Sequence, residues 1–582
     1  MSMIENKIDK LIRTINDNRN VCFEKITGQQ ESYQADISMS DNTEICLQIV
    51  FPEQFPLIFP TFKIVNPQRF YAHVDSEGVI CLLDDTAILK KTELPELIAI
   101  DCFDKAMEIL NILPGSEEYK REIAREFNAY WAQLSSECIY TNIECYSNNA
   151  YMELQAIEAG KYRIVSNDLN SSECLLQNNF HCKADKYESV SCIAIRLRSF
   201  EVPPLKKVYK WKELRQFILG TITSSQKGKF KSFLNRKMKV INRYLILIIP
   251  FSEGDIQMAF HLYCKNGNYS KVEKMVSCEV KPVSIVRIDY KFMVERGGSS
   301  NKLSNKKILV LGCGSIGGYI INNLCQSGIN QVDILDDDIF TFENIHRHLL
   351  GFDEARLHKN KADIMKEWLE SQYPYVDIDS LNFKDRSAEK FLMDANRLRG
   401  YDLIVSALGE PTINLEIDRI LHAKSISIPF VSCFNEPYGI GGHAICSNIT
   451  QNSCLRCLYT DLISNELVPF RASLVKGGQN FKRNISGCTG AFVPYNALDT
   501  QQTALISTKL VLDILCEKIS ENKIISWLGS SEELVKNGFE TAPYFKTNSE
   551  NEKYIVEKEQ FGNRNCLVCG RREVEVLFKR EY

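Results

Sequence analysis

The sequence has no long hydrophobic run. Its longest, YLILIIPF from Tyr244, is far too short to span a bilayer and predicts a buried strand. It shows no export signal at its start: MSMIENKIDKLIRTINDN sets Ile4, Ile8, Leu11 and Ile15 at helical spacing among charges, an amphipathic first helix and not an apolar leader. A soluble, cytoplasmic protein without a membrane partner is expected. Neither sign of charge is in excess. Against 70 Lys and Arg stand 74 Asp and Glu, a net charge of -4, so nothing in the whole chain favours nucleic acid as a partner. Low-complexity tracts and internal repeats are missing too, and 44% hydrophobic with 25% charged residues excludes global disorder. Cysteine, by contrast, is abundant. Twenty-one cysteines without an export signal imply a reducing compartment, where thiols are core residues, metal ligands or nucleophiles more often than disulfides.

A chain of 582 residues exceeds one core and predicts several domains. Residues 1–150 read as a helix, then strands (EICLQIVF alternates Ile45, Leu47, Ile49 and Phe51), then helices, a small α+β domain. From 151 to 300 the runs are short and strand-like, with one helix at WKELRQFILGTI, a mixed middle domain without visible chemistry. The stretch ERGGSSNKLSNKK, 295–307, has the composition of a linker. From 301 to 582 strand and helix patterns alternate (KILVLG, IGGYIINNLCQSG, QVDILD, YDLIVSAL), which predicts a mainly parallel, Rossmann-like sheet covered by helices. The fold class expected is α/β and α+β multidomain.

In KKILVLGCGSIGGYIINNL, Gly312, Gly314 and Gly317 lie between an apolar strand and an amphipathic helix, where backbone N–H groups and a helix N-terminus can approach phosphate. Asp336, at the end of the next strand, suits a ribose hydroxyl. Both features equally suit an NAD dehydrogenase. The stretch LDDDIFTFENIHRHLLG with HKNKADIM separates the readings. Asp336, Asp338, Asn344, Arg347 and Lys361 are too many polar groups for a dinucleotide alone, and they suit a triphosphate with charge developing at the α-phosphate. Adenylation is expected, with ATP and Mg2+.

These residues resemble the ThiF/MoeB and ubiquitin-activating enzyme family, whose members adenylate the C-terminal glycine of a ubiquitin-like protein. The resemblance covers about residues 300–580. It implies that Asp336 holds the ribose and that Asn344, Arg347 and Lys361 hold the phosphates. One departure follows the DLIV strand, where the family places a magnesium-binding aspartate and this chain reads SALGEPT, with Gly409 there and Glu410 beside it. The family also works as a dimer that inserts an arginine across the interface. Arg296 in VERGGSS is the candidate, and a homodimer is expected.

NSCLRCLY and NRNCLVCGRR supply Cys454, Cys457, Cys566 and Cys569, two CxxC pairs whose four thiolates satisfy tetrahedral zinc with no open position. A structural Zn2+ stapling the tail to the sheet is expected. Between the pairs, RNISGCTGAFVPYNALD sets Cys488 in a glycine-flanked loop. In the related enzymes that loop carries the cysteine that attacks the adenylate, which makes Cys488 the first nucleophile.

The first 150 residues resemble a ubiquitin-conjugating domain, with FPEQFPLIFPTFKIV and then YAHVDSEGVICLLDD. Gly78, Ile80, Cys81 and Leu82 match the family's G-x-I-C-L run. A buried core role is the ordinary one for such a cysteine, but the resemblance implies a second thioester carrier. Eight residues earlier, His73 replaces the asparagine that supports the oxyanion, and a histidine donates the same hydrogen bond.

The order conjugating, middle, activating resembles the fused activating and conjugating proteins of bacterial CBASS antiphage operons. That resemblance implies a cGAS/DncV-like nucleotidyltransferase (CD-NTase) tail or a ubiquitin-like protein as modifier, target amines as acceptors, and a JAB-type protease as neighbour. The chain ends VLFKREY, so it is not expected to be the modifier itself. A sulfur-carrier adenylyltransferase of the ThiF/MoeB type, an inactive binding scaffold and an NAD oxidoreductase remain the alternatives.

Overall fold

The structure is a computed structural model and describes residues 2–27, 31–67, 71–75, 77–82, 92–113, 115–143, 150–182, 187–203, 206–235, 241–252, 254–264, 279–381, 391–392, 394–450, 452–484, 491–550, 554–559, 561–563 and 566–570. Contacts divide it into two compact units, residues 1–177 with 181–289, and residues 178–180 with 290–582. No helix among the described residues is long and apolar enough to cross a membrane.

The first unit opens with helix α1 (Ser2–Arg19), which buries Ile8, Leu11 and Ile15 of the expected stripe together with Ile12, which that stripe left out; the side chain of Ile4 lies outside those described. It covers an antiparallel meander of β1 (Glu24–Lys25), β2 (Ser32–Ser38), β3 (Glu44–Val50), β4 (Thr61–Val65) and β5 (Val79–Ile80). In β3, Ile45, Leu47 and Ile49 face the core and alternate with polar or partly exposed neighbours. Helix α2 (Pro95–Leu110) completes this core, and α3 (Glu117–Leu134) follows, capped by the Ser116 side chain on the Tyr119 N–H.

The second sheet of this unit holds β6 (Cys138–Asn142), β7 (Tyr151–Ala159), β8 (Tyr162–Ser166), β9 (Glu188–Arg196), β10 (Tyr209–Lys210), β11 (Ile241–Ile249), β12 (Ile256–Cys264) and β13 (Glu279–Arg287). Their order is β10-β13-β12-β11-β9-β7-β8-β6, and β13 also pairs with β6, which closes the sheet on itself with β10 appended. Closure explains the apolar run of β11. Tyr244, Ile246 and Ile248 point to a core with Leu154, Val165 and Val283, while Leu245, Leu247 and Ile249 pack outward under α3 and two helices, Trp211–Thr221 and Ser224–Leu234. Both faces are dry, so both sets of side chains are apolar. Trp131 of α3 is buried in that outer layer, and its Nε1–H donates to the Val283 carbonyl at 2.7 Å.

The second unit starts with a helix, Tyr290–Arg296, whose last two residues overlap the expected linker at 295–307; the rest of that stretch holds turns and one short 3-10 turn, Asn301–Leu303. The Val294 side chain of the helix packs on the turn at Gly328, and the Tyr290 hydroxyl donates to the Gly328 carbonyl. The sheet contains β14 (Lys307–Leu311), β15 (Gln331–Leu335), β16 (Asp377–Ser380), β17 (Leu403–Ser406), β18 (Phe430–Asn435), β19 (Gly441–Ser447), β22 (Lys523–Leu528) and β23 (Ile555–Glu559); β20 (Arg483–Asn484) and β21 (Ala491–Phe492) form a separate hairpin. The order is β16-β15-β14-β17-β18-β19-β22-β23, parallel from β16 to β18 and antiparallel beyond, so the mainly parallel Rossmann-like sheet expected here is present with an antiparallel extension.

Truncating Trp131 to alanine removes a buried ring and orphans the Val283 carbonyl. We expect Trp131→Ala to lower unfolding stability by about 3–5 kcal/mol, read from denaturant titration of the full chain.

Candidate functional site

The glycine loop joins β14 to the helix Ser315–Gln326. Gly312 has φ +87°, the left-handed region, and a Cβ on Gly317 would lie 1.8 Å from the Gly312 carbonyl oxygen. Only glycine lets the loop close onto the helix there. The helix N-cap is Gly314, with no side-chain cap, which leaves backbone N–H groups for a ligand. Beneath the loop lies Asp336, nearly buried, whose two oxygens accept from the Cys313 N–H at 2.6 Å and the Asp338 N–H at 2.9 Å. Burial raises its pKa, and Lys361 and these two N–H groups pull it back. The Cys313 thiol is buried and pushed well above its ordinary range, so it offers no competing thiolate.

A cavity of about 180 Å³ opens against this loop, lined by Gly314, Ser315, Asn344, Arg347, His348 and Lys361. Four of the residues expected from the sequence therefore meet at one place. Lys361 is the first residue of its helix and is buried, with its Nζ 2.7 Å from the Asp338 carboxylate. Asn344 uses its Oδ1 to cap the turn at Thr341, accepting from the Thr341 N–H at 3.1 Å. Asn360, absent from the sequence reading, caps the Lys361 helix and donates to the Asp336 carbonyl, which ties β15 to that helix. Gly312 and Gly317 shape the turn without lining the cavity, and Asp338 is exposed. The donor set of helix N–H groups, one lysine, one arginine and one amide fits the phosphates of a nucleotide.

His348 escaped the sequence reading as well. Its Nε2–H donates to the Cys313 carbonyl at 2.8 Å, and its Nδ1 accepts from the Leu350 N–H at 3.0 Å, so the neutral ring is held in one tautomer. Burial lowers its pKa from 6.5 to about 4. The adjacent IHRH spacing was the one signal available. Gly318 must be small for the same reason, since a Cβ there would come 3.0 Å from the ring.

After β17, Gly409 takes φ +67° and Glu410 precedes the helix Pro411–Ala423, both exposed. Arg296 is exposed at the end of its helix. Cys488 lies outside the described residues, between β20 and β21, which pair antiparallel.

Cys454, Cys457, Cys566 and Cys569 converge, with all four sulfurs within 4.8 Å of one another and the first three residues buried. Sulfurs about 2.3 Å from a tetrahedral zinc stand about 3.8 Å apart. Here Cys454 lies 3.8 Å from Cys457 and 3.6 Å from Cys566, and Cys457 lies 3.3 Å from Cys569. Backbone N–H groups of Asn563 and Val568 point at Cys457 and Cys566, as they would toward thiolates. Among the described residues this is the one group of three or more such side chains that could hold a metal ion. The turn carrying Cys454 and Cys457 is pinned by buried Asp418, which accepts from the Leu455 N–H at 2.9 Å and the Ser447 hydroxyl at 2.5 Å.

In the first unit Cys81 is exposed, immediately after β5, whereas its neighbour Ile80 is buried. Its N–H donates to the His73 carbonyl at 2.7 Å, and the bridge from Val74 to Ile80 places His73 and Cys81 opposite one another. A Cβ on Gly78 would strike the Ile64 carbonyl at 2.3 Å, so the glycine of the motif closes β5 onto β4. His73 itself has φ +57°, and its Nε2 lies 2.9 Å from Glu122 of α3, with Glu126 at 3.9 Å from Nδ1. Glu122 is 49 residues from His73 in sequence, and no local pattern marks it. Tyr130 packs against the same loop, and burial raises its pKa above the ordinary tyrosine range.

Residues 288–525 match the ThiF family model, and residues 17–139 match the model of Prokaryotic E2 family B. The chain is 23% identical over 469 residues to the ATP-dependent ubiquitin transferase-like protein Cap2 of Pseudomonas aeruginosa, covering 76% of this chain and 79% of that one. It is 21% identical to the protein of the same name from Escherichia coli, over 77% of this chain and 80% of that one. The yeast adenylyltransferase and sulfurtransferase UBA4 (Saccharomyces cerevisiae) is 25% identical over 170 residues, 28% of this chain and 36% of that protein.

The neutral His348 gives a pH prediction. Its folded pKa is depressed, so below pH 6.5 the unfolded chain takes up a proton that the folded one refuses, and stability falls as pH drops from about 6.5 to about 4. One proton contributes at most about 1.4 kcal/mol per pH unit. Denaturation midpoints across this window should fall less steeply in His348→Gln than in the unaltered protein.

Taken together, these findings make residues 288–525 a ThiF-family region and residues 17–139 a prokaryotic E2 region, joined in one chain that is similar over three quarters of its length to ATP-dependent ubiquitin transferase-like proteins.

Proposed function

We propose that this chain is an ATP-dependent activating and conjugating enzyme with three working parts, 1–150, 151–300 and 301–582. The single observation that carries this is the cavity where the N-terminus of the helix Ser315–Gln326, Asn344, Arg347 and Lys361 converge, in a chain that also exposes Cys81 at the end of an E2-type strand. The modifier is a ubiquitin-like protein or the C-terminal tail of a CD-NTase. Its carboxylate attacks the α-phosphorus of ATP, forming an acyl adenylate and releasing pyrophosphate. Arg347, Lys361 and the helix N–H groups hold the phosphates and the charge that gathers on them. Mg2+ would screen the same charge, with Glu410 next in sequence to Gly409 at the family's ligand position. Cys488 thiolate then attacks the acyl carbon, the C–O bond to AMP breaks, and a thioester forms. Exchange with the Cys81 thiol moves the acyl group, and attack by a target amine forms an amide and returns the Cys81 thiol. His73 stands beside this last step. The order conjugating, middle, activating, which resembles that of the fused proteins of CBASS operons, is the ground for a setting in antiphage defence in the cytoplasm, with a JAB-type protease as the deconjugating partner and a homodimer as the active form, Arg296 reaching across it.

The test uses non-reducing gels with ATP, Mg2+ and a CD-NTase from a neighbouring gene. Cys488→Ala should abolish every thioester adduct, whereas Cys81→Ala should keep the adduct on Cys488 and lose the downstream conjugate. Arg347→Ala or Lys361→Ala should cut ATP–pyrophosphate exchange by about a hundredfold or more. Unchanged exchange in both variants ends the adenylation reading.

The four cysteines fit Zn2+, which would hold the 566–570 segment against the turn at 454–457. Metal analysis should find about one zinc per chain, and Cys566→Ser should lower it together with the thermal stability of the last domain. Full occupancy in Cys454→Ser/Cys457→Ser refutes this site.

A further inference from the structure

Arg347 is held in an unusual way for a partly buried cation. Its guanidinium lies 5.8 Å from the centroid of the Phe492 ring and 5.2 Å from that of Tyr495, and among the described residues no carboxylate comes within ion-pair distance. Lys361, on the same cavity, is paired with Asp338 at 2.7 Å. A guanidinium stacked on ring faces keeps its in-plane N–H groups open and its charge uncompensated, the state suited to receiving an anion. Tyr495 also reaches the opposite wall, because its hydroxyl lies 3.2 Å from the Ser315 hydroxyl, and Ser315 starts the helix that lines the cavity.

Both rings belong to a short segment with a fixed backbone. The Pro494 carbonyl accepts from the Tyr438 N–H at 2.5 Å, Phe492 sits in the β20–β21 hairpin, and Asn496 caps the helix Ala497–Leu515 through the Leu498 N–H at 2.7 Å. The backbone that carries both rings is therefore held on both sides of Tyr495.

We propose that Tyr495 and Phe492 are positioning residues of the adenylation site: they seat Arg347 at the phosphate cavity, and they make that seat depend on the conformation of residues 491–496. This rests on the adenylation reading of the cavity. Linkage makes the dependence mutual, so that nucleotide held by Arg347 favours the stacked conformation of the segment, and the stacked segment favours nucleotide. A residue that merely filled space would show neither effect.

Binding of ATP with Mg2+ to the full chain, measured by calorimetry, tests this without a modifier. Tyr495→Ala should weaken ATP binding about tenfold, the scale of a cation–π contact plus its bond to Ser315, while Tyr495→Phe, which keeps the ring, should stay within about twofold to threefold. Tyr495→Leu keeps the bulk without the ring and should behave like alanine, with thermal melting confirming that each variant folds. Arg347→Ala/Tyr495→Ala should bind no more weakly than Arg347→Ala alone, because the tyrosine acts through the arginine. Hydrogen exchange of the amides in 491–496 should slow with ATP in the unaltered protein but not in Arg347→Ala. Additive losses in the double variant, or Tyr495→Leu binding ATP as tightly as the unaltered protein, overturn the positioning role alone. An unaltered protein that binds no ATP overturns the adenylation reading beneath it.

Discussion

The glycine-loop end of the second unit depends on one close approach, the carbonyl of Gly312 against the Cα of Gly317, where any Cβ would collide. That contact brings the N-terminus of the helix Ser315–Gln326 down onto the end of β14. Once it is made, the loop N–H of Cys313 falls within reach of the Asp336 carboxylate, and Asp336 in turn fixes the start of the segment that carries Asp338, Asn344, Arg347 and His348. A buried carboxylate is costly unless its oxygens are satisfied. Here backbone N–H groups satisfy both, so the cost of burial is converted into a fixed geometry for the cationic wall opposite the helix.

The same logic recurs at the four cysteines. Asp418, fully buried and raised in pKa by burial, accepts from the Leu455 N–H and the Ser447 hydroxyl and so sets the turn on which Cys454 and Cys457 sit. Asp418 lies on the helix Pro411–Ala423, which begins directly after Gly409 and Glu410, beyond the strand end whose Ala407 packs on Gly312 and Gly317. One helix thus runs from the glycine loop to the cysteine cluster. In the first unit the comparable device is the strand pair around Gly78, which leaves Ile80 in the core and Cys81 at the surface; a one-residue slip of β5 would exchange them.

Much of this was legible in the sequence because periodicity reports burial directly. The stripe with Ile8, Leu11 and Ile15, the alternation in β3 and the strand, glycine and helix succession at 307–326 each follow from a local pattern with one stable solution. The double-sided apolar run of β11 marked a buried strand but not a sheet closed through β6 and β13, since closure pairs residues such as Ile139 and Ile285 far apart in the chain. Composition at 295–307 gave no sign of the helix Tyr290–Arg296 just before it, which packing against Gly328 holds.

For the sites, the sequence by itself determined the reagents: the glycines, the lysine and arginine, the paired cysteines and the thiol in GVICLLDD, because each must carry its own chemistry. Tertiary structure alone decided their company. Glu122 beside His73, the rings of Phe492 and Tyr495 under Arg347, the neutral His348 bonded to Cys313, and Asp418 behind Cys454 are all long-range meetings. The physical reason is that a ligand atom is marked by its element and spacing along the chain, whereas the groups that orient it need only be near in space, and a folded sheet can supply them from any distance in sequence.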